Sequence, residues 1–160
     1  MADGYSQTTA EEYFNQGEAK SKDKDYAGAI IDYTRAVDLN PFVKEYLYSR
    51  GNAKSYLNDY RGAITDYTKA IEIDPKYLKA FYHRGLAKYK LKDYRGSIED
   101  FSKAIELYPE YADIYYYRGI AEIKLGQEDS GCLDLSKAGE LGYADAYKAI
   151  KKYCTPKGKK

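Results

Sequence analysis

One interval organises this chain. The phrase LYSRG at residues 47–51 returns as FYHRG at 81–85 and as YYYRG at 115–119, each time 34 residues on. Gly17, Gly51, Gly85 and Gly119 keep the step, as do Pro41, Pro75 and Pro109. So do Tyr26, Tyr60 and Tyr94, and Ala36, Ala70, Ala104 and Ala138. Segments 44–77 and 78–111 are identical at 18 of 34 positions. A period of this size marks an array of supersecondary units that bury their apolar faces on one another. The three adjacent tyrosines at 115–117 are therefore one printing of a repeated line, not an isolated stacking site.

Each unit reads as two helices. In 78–111, Phe81, Leu86, Ala87 and Leu91 recur at helical spacing, and so do Ile98, Phe101, Ala104, Ile105 and Leu107. Asp93 stands before the second helix, where a carboxylate accepts bonds from unpaired backbone N–H groups; Asp25 and Asp59 hold the same place. Pro109 ends the unit, because proline disfavours helix in the residue before it. The mid-helix glycines cost about 0.5–1 kcal/mol each relative to alanine. Their recurrence predicts close approach of a neighbouring helix, with Ala29, Ala63 and Ser97 as the facing small residues and Tyr33, Tyr67 and Phe101 filling the space beside them.

These residues resemble the tetratricopeptide repeat. The period, the aromatic four before the glycine, the small residue twelve after it, the alanine nineteen after it and the proline twenty-four after it all carry the likeness. The fold implied is an all-α, right-handed solenoid of helix-turn-helix repeats. Its expected parts are a flexible segment at 1–9, repeats at 10–43, 44–77 and 78–111, a degenerate repeat at 112–142, a capping helix at 143–154 and a basic tail at 155–160. In the cap, Ala146, Tyr147 and Ile150 are expected to cover the last apolar face.

The resemblance also implies a concave groove lined by the first helix of each pair. Its fifth position gives an aromatic at every step: Phe14, Tyr48, Tyr82 and Tyr116. The fourth position, Tyr13, Leu47, Phe81 and Tyr115, is expected against the partner helix, since neighbouring helical residues point about 100° apart. Asn52, Tyr56, Lys79, His83, Tyr89, Lys90 and Tyr117 complete the expected partner-binding set. Tyrosine offers a large area at low entropy cost with one hydroxyl, which suits a partner having both apolar and polar groups. Tyr82 is expected to be removable without unfolding the chain.

A heat-shock chaperone tail is not the expected partner. The family's carboxylate clamp would require basic and amide residues where this chain has Phe14, Glu18, Ser49, Lys79 and His83, and only Lys79 matches. One repeat later, only Asn52 matches. The recurring Arg50, Arg84 and Arg118, and the recurring Asp32, Asp66, Asp100 and Asp134, are read as ion pairs between neighbouring helices.

Composition narrows the function further. The net charge of +1 gives no reason to expect nucleic acid or an anionic membrane. No apolar run approaches the ~18–20 residues of a membrane span. His83 is the single histidine, and no phosphate loop, dinucleotide loop or metal-spaced Cys/His set occurs. The expectation is a non-catalytic module without cofactor or metal that holds an extended peptide or helix of a partner protein. The alternative is a self-assembling, homo-oligomeric structural protein.

Cys132 and Cys154 lie equidistant from Tyr143, where ELGYAD is expected to turn. In an antiparallel pair they would meet and staple the cap; equally, Cys132 occupies the place of Ile30, Ile64 and Ile98 and reads as a buried apolar residue. A disulfide would imply an oxidising compartment. The opening MADGYSQTTAEE has no signal-peptide pattern, while YSQTTAEEYFNQG resembles the mature start of exported bacterial proteins of this repeat class. Cytoplasmic and exported locations both stay open.

Overall fold

The computed structural model describes residues 8–154, so the expectations for 155–160 and for 1–7 within the 1–9 segment lie outside the described residues. Described residues form helices α1 (Ala10–Lys22), α2 (Tyr26–Leu39), α3 (Lys44–Tyr56), α4 (Tyr60–Ile73), α5 (Leu78–Lys90), α6 (Tyr94–Leu107), α7 (Ala112–Lys124), α8 (Glu128–Glu140) and α9 (Asp145–Tyr153). There is no strand among them. The helices group into two compact units, Met1–Ala80 and Phe81–Lys160.

Local chemistry sets the helix ends. Thr9 and Glu12 form a reciprocal capping box at the start of α1, with Thr9 N donating to Glu12 Oε2 at 2.7 Å. Asp25, Asp59 and Asp93 cap α2, α4 and α6 by accepting from the N–H groups of Gly28, Gly62 and Gly96 at 2.9, 2.9 and 3.0 Å. Asn40, Asp74 and Tyr108 precede the prolines and leave the helical region, with φ between −146° and −130°. Inside each pair the turn needs one left-handed residue: Lys24, Asn58 and Lys92 take φ of 63–64°, and Gly126 takes 88°. Only the fourth unit places glycine there, where it carries no Cβ strain.

Packing within a pair is set by the mid-helix glycine. A Cβ on Gly17 would lie 2.6 Å from the Tyr33 ring, one on Gly51 2.7 Å from Tyr67, and one on Gly85 2.8 Å from Phe101. Those three rings are buried, together with Ala29, Ala63 and Ser97. Ser97 is tolerated because its hydroxyl donates to the Gly85 carbonyl at 2.9 Å. The fourth pair reaches closeness differently. A Cβ on Gly119 would lie 2.7 Å from the carbonyl oxygen of Gly131, so two backbones touch and the smaller Leu135 replaces the aromatic ring.

Three expectations are corrected. Leu91 is exposed rather than facing the core, where Ala80 joins the expected Phe81 and Ala87. Tyr115 is only half-buried; Ile114 is the fully buried residue at the start of α7. Tyr147 does not cover an apolar face. It is 63% exposed, its hydroxyl donates to the Gly139 carbonyl at 3.2 Å, and Ala146 and Ala149 are the buried residues of α9.

The Sγ atoms of Cys132 and Cys154 are bonded at 2.06 Å, tying α8 to the end of α9. Among the described residues no helix is long and apolar enough to cross a membrane.

Candidate functional site

The first helix of each pair is held in place by a charge network. Arg50 grips Asp66 at 2.9 and 2.7 Å, and Arg84 grips Asp100 at the same distances. Arg118 grips Asp134 at 2.6 and 2.9 Å. Lys54 and Lys88 add second cations at 2.7 and 2.9 Å, and Lys20 alone holds Asp32 at 2.6 Å, since Gln16 stands where the arginine would be. These pairs join the two helices of one repeat and so fix the rotation of the first helix, which decides where the ladder aromatics point.

In the first unit, Phe14 packs on the buried cluster of Ala29, Tyr33 and Ala53 and meets Tyr46 at 4.8 Å between ring centres. Tyr48 lies against Tyr67 at 6.0 Å and Tyr77 at 5.4 Å. Asn52 is occupied within the fold: its Oδ1 accepts from the Tyr67 hydroxyl at 2.7 Å, and its side chain hydrogen-bonds Tyr48. Burial raises the Tyr48 and Tyr67 phenols, so both stay neutral at physiological pH. Tyr56 is 65% exposed and stacks on Tyr26 at 4.5 Å. Beside this stack opens a pocket of about 490 Å³, lined also by Glu18, Ser21 and Lys22. Lys79, in the first turn of α5, is exposed.

In the second unit, Tyr82 touches Phe101 at 6.1 Å and Tyr117 at 6.0 Å, and its hydroxyl bonds Asp113. Tyr82 is half-buried and part of an inner aromatic cluster, so removing its ring also removes packing within the fold. Burial first, then Asp113, push its phenol up. Tyr117 stacks on Phe101 and hydrogen-bonds Tyr143, whose phenol is raised to about 12, chiefly by burial. His83 meets Tyr82 edge-on at 5.1 Å. Tyr89 meets Tyr94 at 5.4 Å, Tyr116 meets Tyr143 at 4.7 Å, and Lys90 is exposed at the end of α5. Tyr89 and Tyr116 line a second pocket of about 420 Å³ with Ile120, Lys124, Asp145, Lys148, Ala149, Lys152 and Tyr153.

Sequence reasoning missed several neighbours. Tyr46, Tyr77 and Tyr143 complete the aromatic clusters; Tyr77 and Tyr111 share a repeat position, a signal that was available. The lysines of α9 recur at helical spacing and were equally visible. Among the described residues no cluster of His, Cys, Asp and Glu is arranged to hold a metal ion.

The fold and the repeat geometry define an all-α helical-repeat solenoid, a class that serves as protein-interaction scaffolds. Profiles described as tetratricopeptide repeat match residues 10–42 and 78–111, and one described as TPR repeat matches 51–92. The chain belongs to the tetratricopeptide-repeat family. Among solved structures, the Arabidopsis OM64 TPR domain is similar at 32% identity and a TM-score of 0.66, over 74% of this chain and 95% of that one. MamA protein is similar at 26% identity and a TM-score of 0.87, over 93% and 82%. The first TPR of Spaghetti (RPAP3), solved bound to the HSP90 peptide SRMEEVD, shares the fold at 24% identity and a TM-score of 0.72, over 74% and 94%. No curated protein matches in sequence.

Proposed function

We propose that the chain is a non-catalytic scaffold that holds an extended peptide or a single helix of a partner protein against the tyrosine-lined faces of its first helices. The observation that carries this reading is that each unit opens a pocket beside the ladder, one at Tyr56 and one at Tyr89 and Tyr116. The inner rings, Phe14, Tyr48, Tyr82 and Tyr117, form a rigid backing, while Tyr56, Lys79, Lys90 and the pocket rims supply contact. Rigid aromatic surfaces lose little entropy on binding. The set departs from a chaperone-tail clamp, because Phe14, Glu18 and Tyr48 stand where such a clamp needs cations and amides.

Display of random dodecapeptides on the full chain tests the reading. Enriched peptides are expected to bind Tyr56→Ala or Tyr116→Ala at least about tenfold more weakly, with little change in melting temperature for Tyr56→Ala. No enrichment, or enriched peptides indifferent to both substitutions, would overturn it. Light scattering over a concentration series separates partner binding from self-assembly: a chain that associates through these faces without peptide supports the homo-oligomeric alternative.

A further inference from the structure

The pocket of the second unit differs from that of the first in charge. We propose that it binds an acidic peptide segment, seating an apolar side chain on Tyr116, Ile120 and Ala149 and the neighbouring carboxylates against Lys124 and Lys152. This proposal rests on the reading of the chain as a peptide-binding scaffold and names the chemistry of the peptide.

Three lysines and one carboxylate line the pocket. Asp145 pairs with Lys148 at 2.9 Å, which leaves Lys124 and Lys152 as the pocket's excess positive charge. Among the described residues neither Lys124 nor Lys152 has a carboxylate partner in an ion pair. Both act on Tyr153: Lys152 hydrogen-bonds its hydroxyl and lies 4.9 Å from the ring centre, and Lys124 adds its charge, so the phenol is lowered while those of Tyr89 and Tyr116 are raised by burial. A local field that favours a phenolate also favours a carboxylate. The floor is apolar and aromatic, and about 420 Å³ falls within the range of small-ligand sites. The wall is fixed, because Tyr153 is followed directly by Cys154, bonded to Cys132. The site is distinct from the clamp considered above: its cations come from the ends of α7 and α9, whereas the clamp positions of α7 hold Asp113 and Tyr117.

The test uses a fluorescein-labelled decapeptide, GSDEFDELGS, and its amide twin, GSNQFNQLGS, titrated with the full chain under non-reducing conditions at ~50 and ~300 mM NaCl. The acidic peptide is expected to bind at least about tenfold more tightly than its twin, with the difference shrinking at the higher salt. The Lys124→Ala/Lys152→Ala double variant is expected to lose that preference. Lys103→Ala/Lys137→Ala makes the same charge change at exposed lysines of α6 and α8 outside the pocket, and is expected to keep it. Equal binding of the two peptides, no binding of the acidic one, or equal losses in both double variants would overturn the proposal. Dodecapeptides that enrich without acidic residues, or that depend on Tyr56 alone, would sink this proposal and leave the scaffold reading standing; no enrichment at all would sink that reading itself.

Discussion

Arg50 and Asp66 face each other across α3 and α4 with two hydrogen bonds, 2.9 and 2.7 Å long, and Lys54 closes on the same carboxylate at 2.7 Å. The geometry recurs 34 residues on at Arg84, Lys88 and Asp100. Asp66 is buried, so the two cations take the place of water as partners of its carboxylate. Removing a partner from a buried pair leaves an uncompensated charge.

Asp66→Ala is therefore expected to cost about 3–5 kcal/mol, read from the urea midpoint. Asp32→Ala should cost clearly less, since it has one cation, Lys20, which is more exposed than Arg50 and Lys54. Equal losses at the two sites would show that burial of the cations does not matter.

Gly51→Ala tests the close approach of α3 and α4. Alanine gains about 1 kcal/mol of helix propensity, but its Cβ would lie 2.7 Å from the fully buried Tyr67 ring. Overpacking of this kind costs about 1–3 kcal/mol, so the net change should be destabilising. Thermal unfolding with a raised melting temperature would refute the packing account.

Glu122 occupies the place of Lys20, Lys54 and Lys88, and so turns a carboxylate toward Asp134. Its Oε2 is buried without a hydrogen-bond partner among the described residues, and burial, then Asp134, raise its carboxyl above the ordinary range. A raised acid binds more protons folded than unfolded. Its unfavourable contribution is therefore absent below the ordinary glutamate value and grows as pH rises toward the folded value. Glu122→Gln should remove that fall in stability, which sets in as pH rises above the ordinary glutamate value of about 4. Glu122→Lys should add about 1 kcal/mol at neutral pH by restoring the bridge of the other repeats. An unchanged pH profile in Glu122→Gln would contradict this.

The Cys132–Cys154 bond closes a separation of 22 residues. Reduction, or Cys154→Ser, is expected to cost about 3 kcal/mol by chain entropy and to speed hydrogen exchange in α9 first, because α9 is a short terminal helix. Uniform loss of protection through α7 and α8 would show that the cap does not open on its own.

Much of this was legible at 34-residue spacing. The aspartate caps, the extended residue before each proline and the packing of Tyr33, Tyr67 and Phe101 in the space beside Gly17, Gly51 and Gly85 follow from local sterics repeated in register, although the rings themselves, rather than Ala29, Ala63 and Ser97, come nearest the glycines. The left-handed turn residues were not legible, because lysine at 24 and 92 gives no hint of positive φ. Nor was the exposure of Tyr147, since an amphipathic pattern does not say how much of each side chain the covered surface hides.

The sequence by itself determined the unit, its helices and its helix-pair contacts, because period, propensity and capping act within a few residues or within one hairpin. Only the tertiary structure decided which tyrosines are buried and which are exposed, and where Lys124 and Lys152 come together with Tyr153. Those depend on how successive helices rotate against each other, and burial and local field are set by atoms far apart in the chain.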